Sequence, residues 1–305
     1  MRQRSESTAA DLAACRLFVR THSPEVYWLS AALPPRIREP TLAYLAFQGS
    51  LTDMVNEREV SATTIADLSA RVRAATSGAP SAEPIDRALS RAAADHALSP
   101  ALLEALLEAL IWEVEGRRFA TYEGLLDACV RRRGTTAMAI STFMGRRKRV
   151  VLERAADLGV AIELTLVARD VAADARRGRV RLPLEWLEEA GVDPDRIVEA
   201  PRGAPGLDAV VVRLARAADG FYRRSDPGIA ALPFDCRPAV RCARYAFRAL
   251  GAAIERGEES PSPSIPHLAR LAARALRASR SEARPLAAPP LREARELVAA
   301  IAADE

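Results

Sequence analysis

Lysine is almost missing: Lys148 is the only one among 44 Lys and Arg residues. A basic set made of arginine reads as a GC-rich coding bias rather than a binding signal. Aromatic residues are few, at 5%. Strand-like alternation is nearly absent, which excludes a β-rich fold and leaves an all-helical one. The four cysteines, Cys15, Cys129, Cys236 and Cys242, have no metal-ligand spacing. Cys236 and Cys242 stand too far apart for a zinc pair, and all four read as reduced thiols. There is no glycine-rich phosphate loop, no Ser/His/Asp set, no nucleic-acid motif and no internal repeat. The three histidines are isolated, and His96 reads as a capping or packing residue. Apolar runs are short and broken by arginine. No signal peptide or membrane span is therefore expected, and the cytoplasm is the expected location. A net charge of +4 permits contact with anionic lipid or a diphosphate without demanding either.

What is present is helix. The chain has 305 residues, 49% of them hydrophobic, enough for one large core. The most informative stretch is Leu158–Leu187, LGVAIELTLVARDVAADARRGRVRLPLEWL. No Gly or Pro interrupts Val160–Arg177, and Val160, Leu164, Val167 and Val171 recur at steps of three and four. Asp170 and Asp174 are four apart and leave one helix face a turn apart. They precede Arg176, Arg177, Arg179 and Arg181. Two carboxylates beside clustered arginines suit a divalent cation and a phosphate-bearing ligand. They also suit a solvated helix end, and spacing leaves both readings open.

Elsewhere the pattern predicts a polar, mobile start over Met1–Ser7 and a helix from Ala9 to Thr21 capped by Thr8. A short helix through Ala31 ends at Pro34-Pro35, and another helix runs from Thr41 to Glu57. Further helices are expected over Val60–Ser77, Ile85–Ala97, Pro100–Glu115 and Leu207–Ser225, and from Pro238. The Arg131–Arg133 and Arg146–Arg149 clusters read as solvated helix faces. Residues 1–280 are expected to form one helical domain. A Pro/Ala-rich tail, 281–305, would carry a last helix at Leu291–Ala303.

RDVAADARRGRVRLPLEWLEEAGV closely resembles the second aspartate-rich segment of the squalene/phytoene synthase family. FYRRSDPGIAALPFDCRPAVRCARYAF resembles a later family block, and HSPEVYWLSAALPPRIREP the N-terminal one. The resemblance covers about Ala13 to Glu255. It implies an all-α isoprenoid-synthase bundle around a central cavity. Enzymes of this kind join two prenyl diphosphates, farnesyl or geranylgeranyl, head to head and release diphosphate. Mg²⁺ held between two acidic helix ends serves that reaction. By the resemblance, Asp170, Asp174 and Asp53 would be catalytic and, with Asn56, metal-binding. Arg169, Ser23, Tyr222 and Arg177 would bind substrate.

The first acidic segment, TLAYLAFQGSLTDMVNE, departs from the family pattern. Its metal-binding acids fall on Thr52, Asp53 and Asn56, and its arginine falls on Gly49. Asp53 and Glu57 still share a face. Leu166 replaces an asparagine ligand, Ala173 a glutamate, and Glu113 an aspartate. Glu163 stands where a glutamine is common. Ala137 and Met138, at a usually glycine-rich hinge, would narrow the cavity. Two readings follow: an active prenyltransferase with a rearranged metal site, or a catalytically impaired homologue that binds a prenyl lipid or a protein partner. Altered chemistry on a single prenyl diphosphate or an uncharged isoprenoid is a third. A basic surface and a lipophilic product would suit peripheral membrane contact.

Overall fold

The structure, a computed structural model, describes residues 2–57, 62–200, 204–258 and 288–303, together with 270, 271, 273–275 and 277. Among them are fifteen α-helices, one π-helical turn and no strand. In order these are α1 (Arg2–His22), α2 (Pro24–Ser30), α3 (Pro35–Glu57), α4 (Ala62–Thr76), α5 (Pro84–Asp95), α6 (Pro100–Val114) and α7 (Tyr122–Cys129). The π turn (Val130–Gly134) leads directly into α8 (Thr135–Phe143). Then come α9 (Arg149–Ala175), α10 (Leu184–Glu189), α11 (Pro194–Glu199), α12 (Leu207–Arg224), α13 (Asp226–Ala231), α14 (Arg237–Glu255) and α15 (Arg292–Ala303).

The bundle is built around α9. Its 27 residues make a rod about 40 Å long at 1.5 Å per residue. Apolar side chains point in nearly every direction, from Val151 through Val160 and Leu164 to Ala168, and are buried. A helix hydrophobic all round belongs at the centre of a large core. Helices α12 and α14 each carry one apolar face and lay it against this rod. The π turn, α8 and α13 pack on its other sides, and Gly159 and Gly228 allow close backbone approach there. Helix α15 buries Ala294, Leu297, Val298 and Ile301 against α6 and α9.

Helix starts follow local chemistry. Proline stands in the first turn of α2, α5, α6, α11 and α14, where no intrahelical N–H bond is lost. Ser99 caps α6 by accepting from the Ala101 N–H, and Thr121 caps α7 from Gly124. Helix α1 begins at Arg2, not after Thr8. Arg, Gln, Ser and Glu there include no helix breaker, so the helix extends toward the terminus. His96 terminates α5 and packs edge-on against Phe143. The expected boundary at residue 280 lies outside the described residues.

Candidate functional site

A cavity of about 440 Å³ runs alongside α9. Val151, Ala155, Leu158, Ile162, Leu166 and Arg169 line it, one from each successive turn. That stripe spans about 27 Å of helix. Helix α3 supplies the opposite wall with Thr41, Leu45, Gln48, Thr52 and Asp53, again one helical face. One end is largely apolar, closed by Leu33, Met144, Val151 and Leu232, with Arg154, paired with Asp157, the charged residue beside them. The other end is polar and carries Ser23, His22, Asp53 and Arg169, and Arg132 and Arg133 also line the cavity.

Behind the polar end lies a continuous charge network. Glu113 pairs with Arg132 and, at 2.5 Å, with Arg179. Glu163 faces Arg132 at 3.3 Å, Arg133 at 3.2 Å and Arg181 at 3.0 Å. Arg181 also holds Asp174 at 2.6 Å. The amide of Gln48 ties the network to the cavity wall. It donates to the Arg132 carbonyl at 2.9 Å and accepts from Thr136 Oγ1 at 3.0 Å. Burial alone would push the Glu113 carboxyl up, but Arg132, Arg181 and Arg179 together hold it below its usual range. Asp174 is raised by burial, which its Arg181 partner only partly offsets.

The residues singled out in the sequence are distributed as follows. Ser23, Asp53 and Arg169 line the cavity. Asp170 accepts two hydrogen bonds from Arg169, from Nε at 2.6 Å and Nη2 at 2.9 Å. Asp174 is buried against Arg181. Asn56 Oδ1 accepts from Arg179 Nη1 at 2.8 Å, and Asp53 faces His22 Nε2 at 3.4 Å. The side chain of Glu57 lies outside the described residues.

Three expectations are corrected. Tyr222 does not line the cavity: it is buried in the core with its hydroxyl 2.9 Å from Thr165 Oγ1. Arg177 is exposed and donates to the Ala173 carbonyl of its own helix end, because the chain turns away at Gly178. Arg132 and Arg133 are not a solvated face, since the π turn directs them inward to Glu113 and Glu163. Of the two residues expected to narrow the cavity, Ala137 lines it and Met138 is buried in the core behind. One signal for the network was present in the sequence: Glu163 interrupts VAIELTLV, and a carboxylate inside an apolar run needs a buried partner. Nothing local marks Arg132, Arg133 and Arg181 as its partners.

The profile of the squalene/phytoene synthase family matches residues 19–277. The chain belongs to that family. It is 36% identical over 258 residues to a phytoene synthase of Cereibacter sphaeroides, covering 81% of this chain and 73% of that one. A phytoene synthase of Rhodobacter capsulatus is 33% identical over 252 residues, covering 82% and 74%. A dehydrosqualene synthase solved in complex with ligand superposes with a TM-score of 0.79 at 21% identity, over 88% of this chain and 96% of that one. Squalene synthase HpnC from Alicyclobacillus acidocaldarius gives a TM-score of 0.73 at 21% identity, over 84% and 97%. The all-α fold expected from the sequence is therefore that of the squalene and dehydrosqualene synthases.

Family chemistry uses Mg²⁺, and the donor set here can be tested against it. A hard cation needs several oxygen ligands converging on one point. Asp170, Asp174 and Asn56 each already accept from an arginine, and Asp53 faces His22. Thr52 gives its hydroxyl to the Gln48 carbonyl of its own helix, at 3.0 Å. Leu166 presents an apolar side chain to the cavity. No group of three or more His, Cys, Asp and Glu able to hold an ion occurs among the described residues. As arranged, these residues do not fit a Mg²⁺ site.

Proposed function

We propose that this chain acts in isoprenoid biosynthesis as a head-to-head prenyltransferase. It would take farnesyl or geranylgeranyl diphosphate, join two such molecules and release diphosphate. The observation that carries this reading is the cavity: a long apolar wall ending in guanidinium groups, the shape and polarity of a prenyl diphosphate. The apolar end around Met144 and Leu232 takes the hydrocarbon chain. Arg169 and Ser23 stand where the diphosphate lies. Breaking the allylic C–O bond leaves the electron pair on the diphosphate, and fixed guanidinium hydrogens stabilise that developing charge. The apolar wall from Leu158 through Ile162 to Leu166 would shield the remaining allylic cation from water.

The test is diphosphate release and extractable product from the pure protein given each substrate. A C30 or C40 hydrocarbon supports the reading and names the substrate. Absence of both, beside an active family member, overturns it.

One observation favours a second reading, a homologue that binds a prenyl lipid or a protein partner without turnover. At Gly49, where the family pattern has an arginine, the ring of Phe18 fills the space, and a Cβ there would lie 2.6 Å from Phe18 Cε1. At that one position packing stands where the family pattern would have a charged side chain. Peripheral membrane contact is supported by exposed Val150 beside Arg146, Lys148 and Arg149. No helix among the described residues is long and apolar enough to cross a membrane.

A further inference from the structure

We infer that the polar end of the cavity holds the diphosphate directly through arginine, Arg133 and Arg169 above all, without a divalent cation. This rests on the prenyl-diphosphate reading of the same cavity and concerns how its charged end is recognised.

The charge of the lining points this way. Arg132, Arg133, Arg169 and Arg154 line the cavity, Arg154 being paired with Asp157, with His22 at the rim. Only Glu25 and Asp53 oppose them among the lining carboxylates. The network behind holds four guanidiniums, Arg132, Arg133, Arg179 and Arg181, against three carboxylates, Glu113, Glu163 and Asp174. A site built from free carboxylates repels a diphosphate until cations intervene. A site with surplus guanidinium attracts it unaided, and arginine matches phosphate oxygens with paired, fork-like hydrogen bonds.

Donor capacity agrees. A guanidinium offers five N–H groups. Arg133 places Nε on Glu163 at 3.2 Å and Nη1 on Gln48 at a long 3.4 Å. None of the described residues accepts from its Nη2. Arg169 commits Nε and Nη2 to Asp170 and retains Nη1. Burial pulls the Arg133 guanidinium below the usual arginine value, with Glu163 only partly offsetting it. Its charge is therefore under-compensated where an anion would be welcome.

The positions that would bring a metal to the diphosphate are closed by other means. Leu166 supplies hydrocarbon, Thr52 is bonded to its own helix, and Asp170 and Asp174 serve arginines. The carboxylates here orient guanidiniums instead of ligating an ion.

The experiment titrates the full chain with farnesyl thiodiphosphate, which resists ionisation, in EDTA and in Mg²⁺, and in parallel with farnesol. Heat of binding and melting temperature are the readouts, since a ligand that binds only the folded chain must raise it. The expected result is equal affinity for the thiodiphosphate in EDTA and Mg²⁺, and tighter binding than farnesol. Arg133→Gln and Arg169→Gln should each weaken the thiodiphosphate by about tenfold, about 1.4 kcal/mol, while farnesol binding stays at the parental level and reports an intact fold. Binding of the thiodiphosphate only with Mg²⁺, or tenfold tighter with it, overturns the inference and leaves the prenyl-diphosphate reading standing. Thiodiphosphate binding no tighter than farnesol also overturns it. Binding of neither compound overturns the cavity reading itself. The EDTA comparison uses the parent chain, so it decides even if a variant fails to fold.

Discussion

The backbone of Gly159 lies so close to Arg133 that a Cβ on the glycine would stand 2.2 Å from the Arg133 carbonyl oxygen. The central helix therefore meets the π turn through bare backbone, and that contact sets where the Arg133 side chain emerges. Gly159→Ala should cost about 1–3 kcal/mol by overpacking. It should also weaken diphosphate-analogue binding, because the π turn must move. Denaturant unfolding and analogue titration check this, and a variant as stable as the parent would show that the two backbones have room to spare.

Phe18 and Gly49 are coupled in the same way across the cavity rim. Alanine in a helix is favoured over glycine by about 1 kcal/mol. Gly49→Ala should gain nothing in the parent, where the new Cβ meets the Phe18 ring. In a Phe18→Ala background it should recover about 1 kcal/mol. A double-mutant cycle on unfolding free energy reads the difference, and simple additivity would deny the packing.

Glu113 links the network to acid stability. Its carboxyl is held below the ordinary value of 4.5 despite burial, by Arg132, Arg181 and Arg179. The fold thus favours the ionised form. That contribution is present above pH 4.5 and is lost as pH falls through the lower folded value. Melting temperature should drop across that range, and Glu113→Gln should remove this part of the slope. The variant should also be less stable at neutral pH by about 3 kcal/mol, since Arg132 and Arg179 lose a nearly buried partner. An unchanged pH profile in the variant would remove Glu113 from this role.

The thiols should be inert in the folded chain. Burial, with the Asp11 charge adding to it, pushes Cys15 up to about 12. Burial likewise pushes Cys236 up to about 11 and Cys129 well above the ordinary value. Native protein at pH 8 should react slowly with iodoacetamide and label fully only after unfolding. Rapid native labelling of these cysteines would contradict their burial.

Tyr222→Phe separates a structural tyrosine from a ligand-binding one. The Thr165–Tyr222 hydrogen bond lies within the core. Its loss should lower stability by about 1 kcal/mol and leave analogue affinity unchanged. A large drop in affinity would return Tyr222 to the site.

Much of the architecture was readable locally. VAIELTLVARDV has no breaker and an apolar residue at every step of three or four, so it had to form a long buried helix. Asp170 and Asp174 were bound to leave neighbouring turns. Proline and Ser or Thr at helix starts marked most boundaries. The family blocks around ARRGR and in the Phe221 region fixed the fold class on the same footing.

Arg132 and Arg133 show where local reading stops. In the sequence they belong to a basic run, which composition assigns to solvent. A π turn adds a residue to the helical turn and rotates everything after it, so the 3.6-residue phase from α7 no longer tells which face they occupy. Their partners, Glu113, Glu163 and Gln48, lie between 19 and 85 positions away. Asp170 and Asp174 differ: their partners, Arg169 and Arg181, lie one and seven positions away, within the basic stretch the sequence itself displays. Helix periodicity is a property of neighbours along the chain and was settled by the sequence. Charge pairing is a property of neighbours in space, and only the assembled bundle brought Arg132 and Arg133 to Glu113 and Glu163.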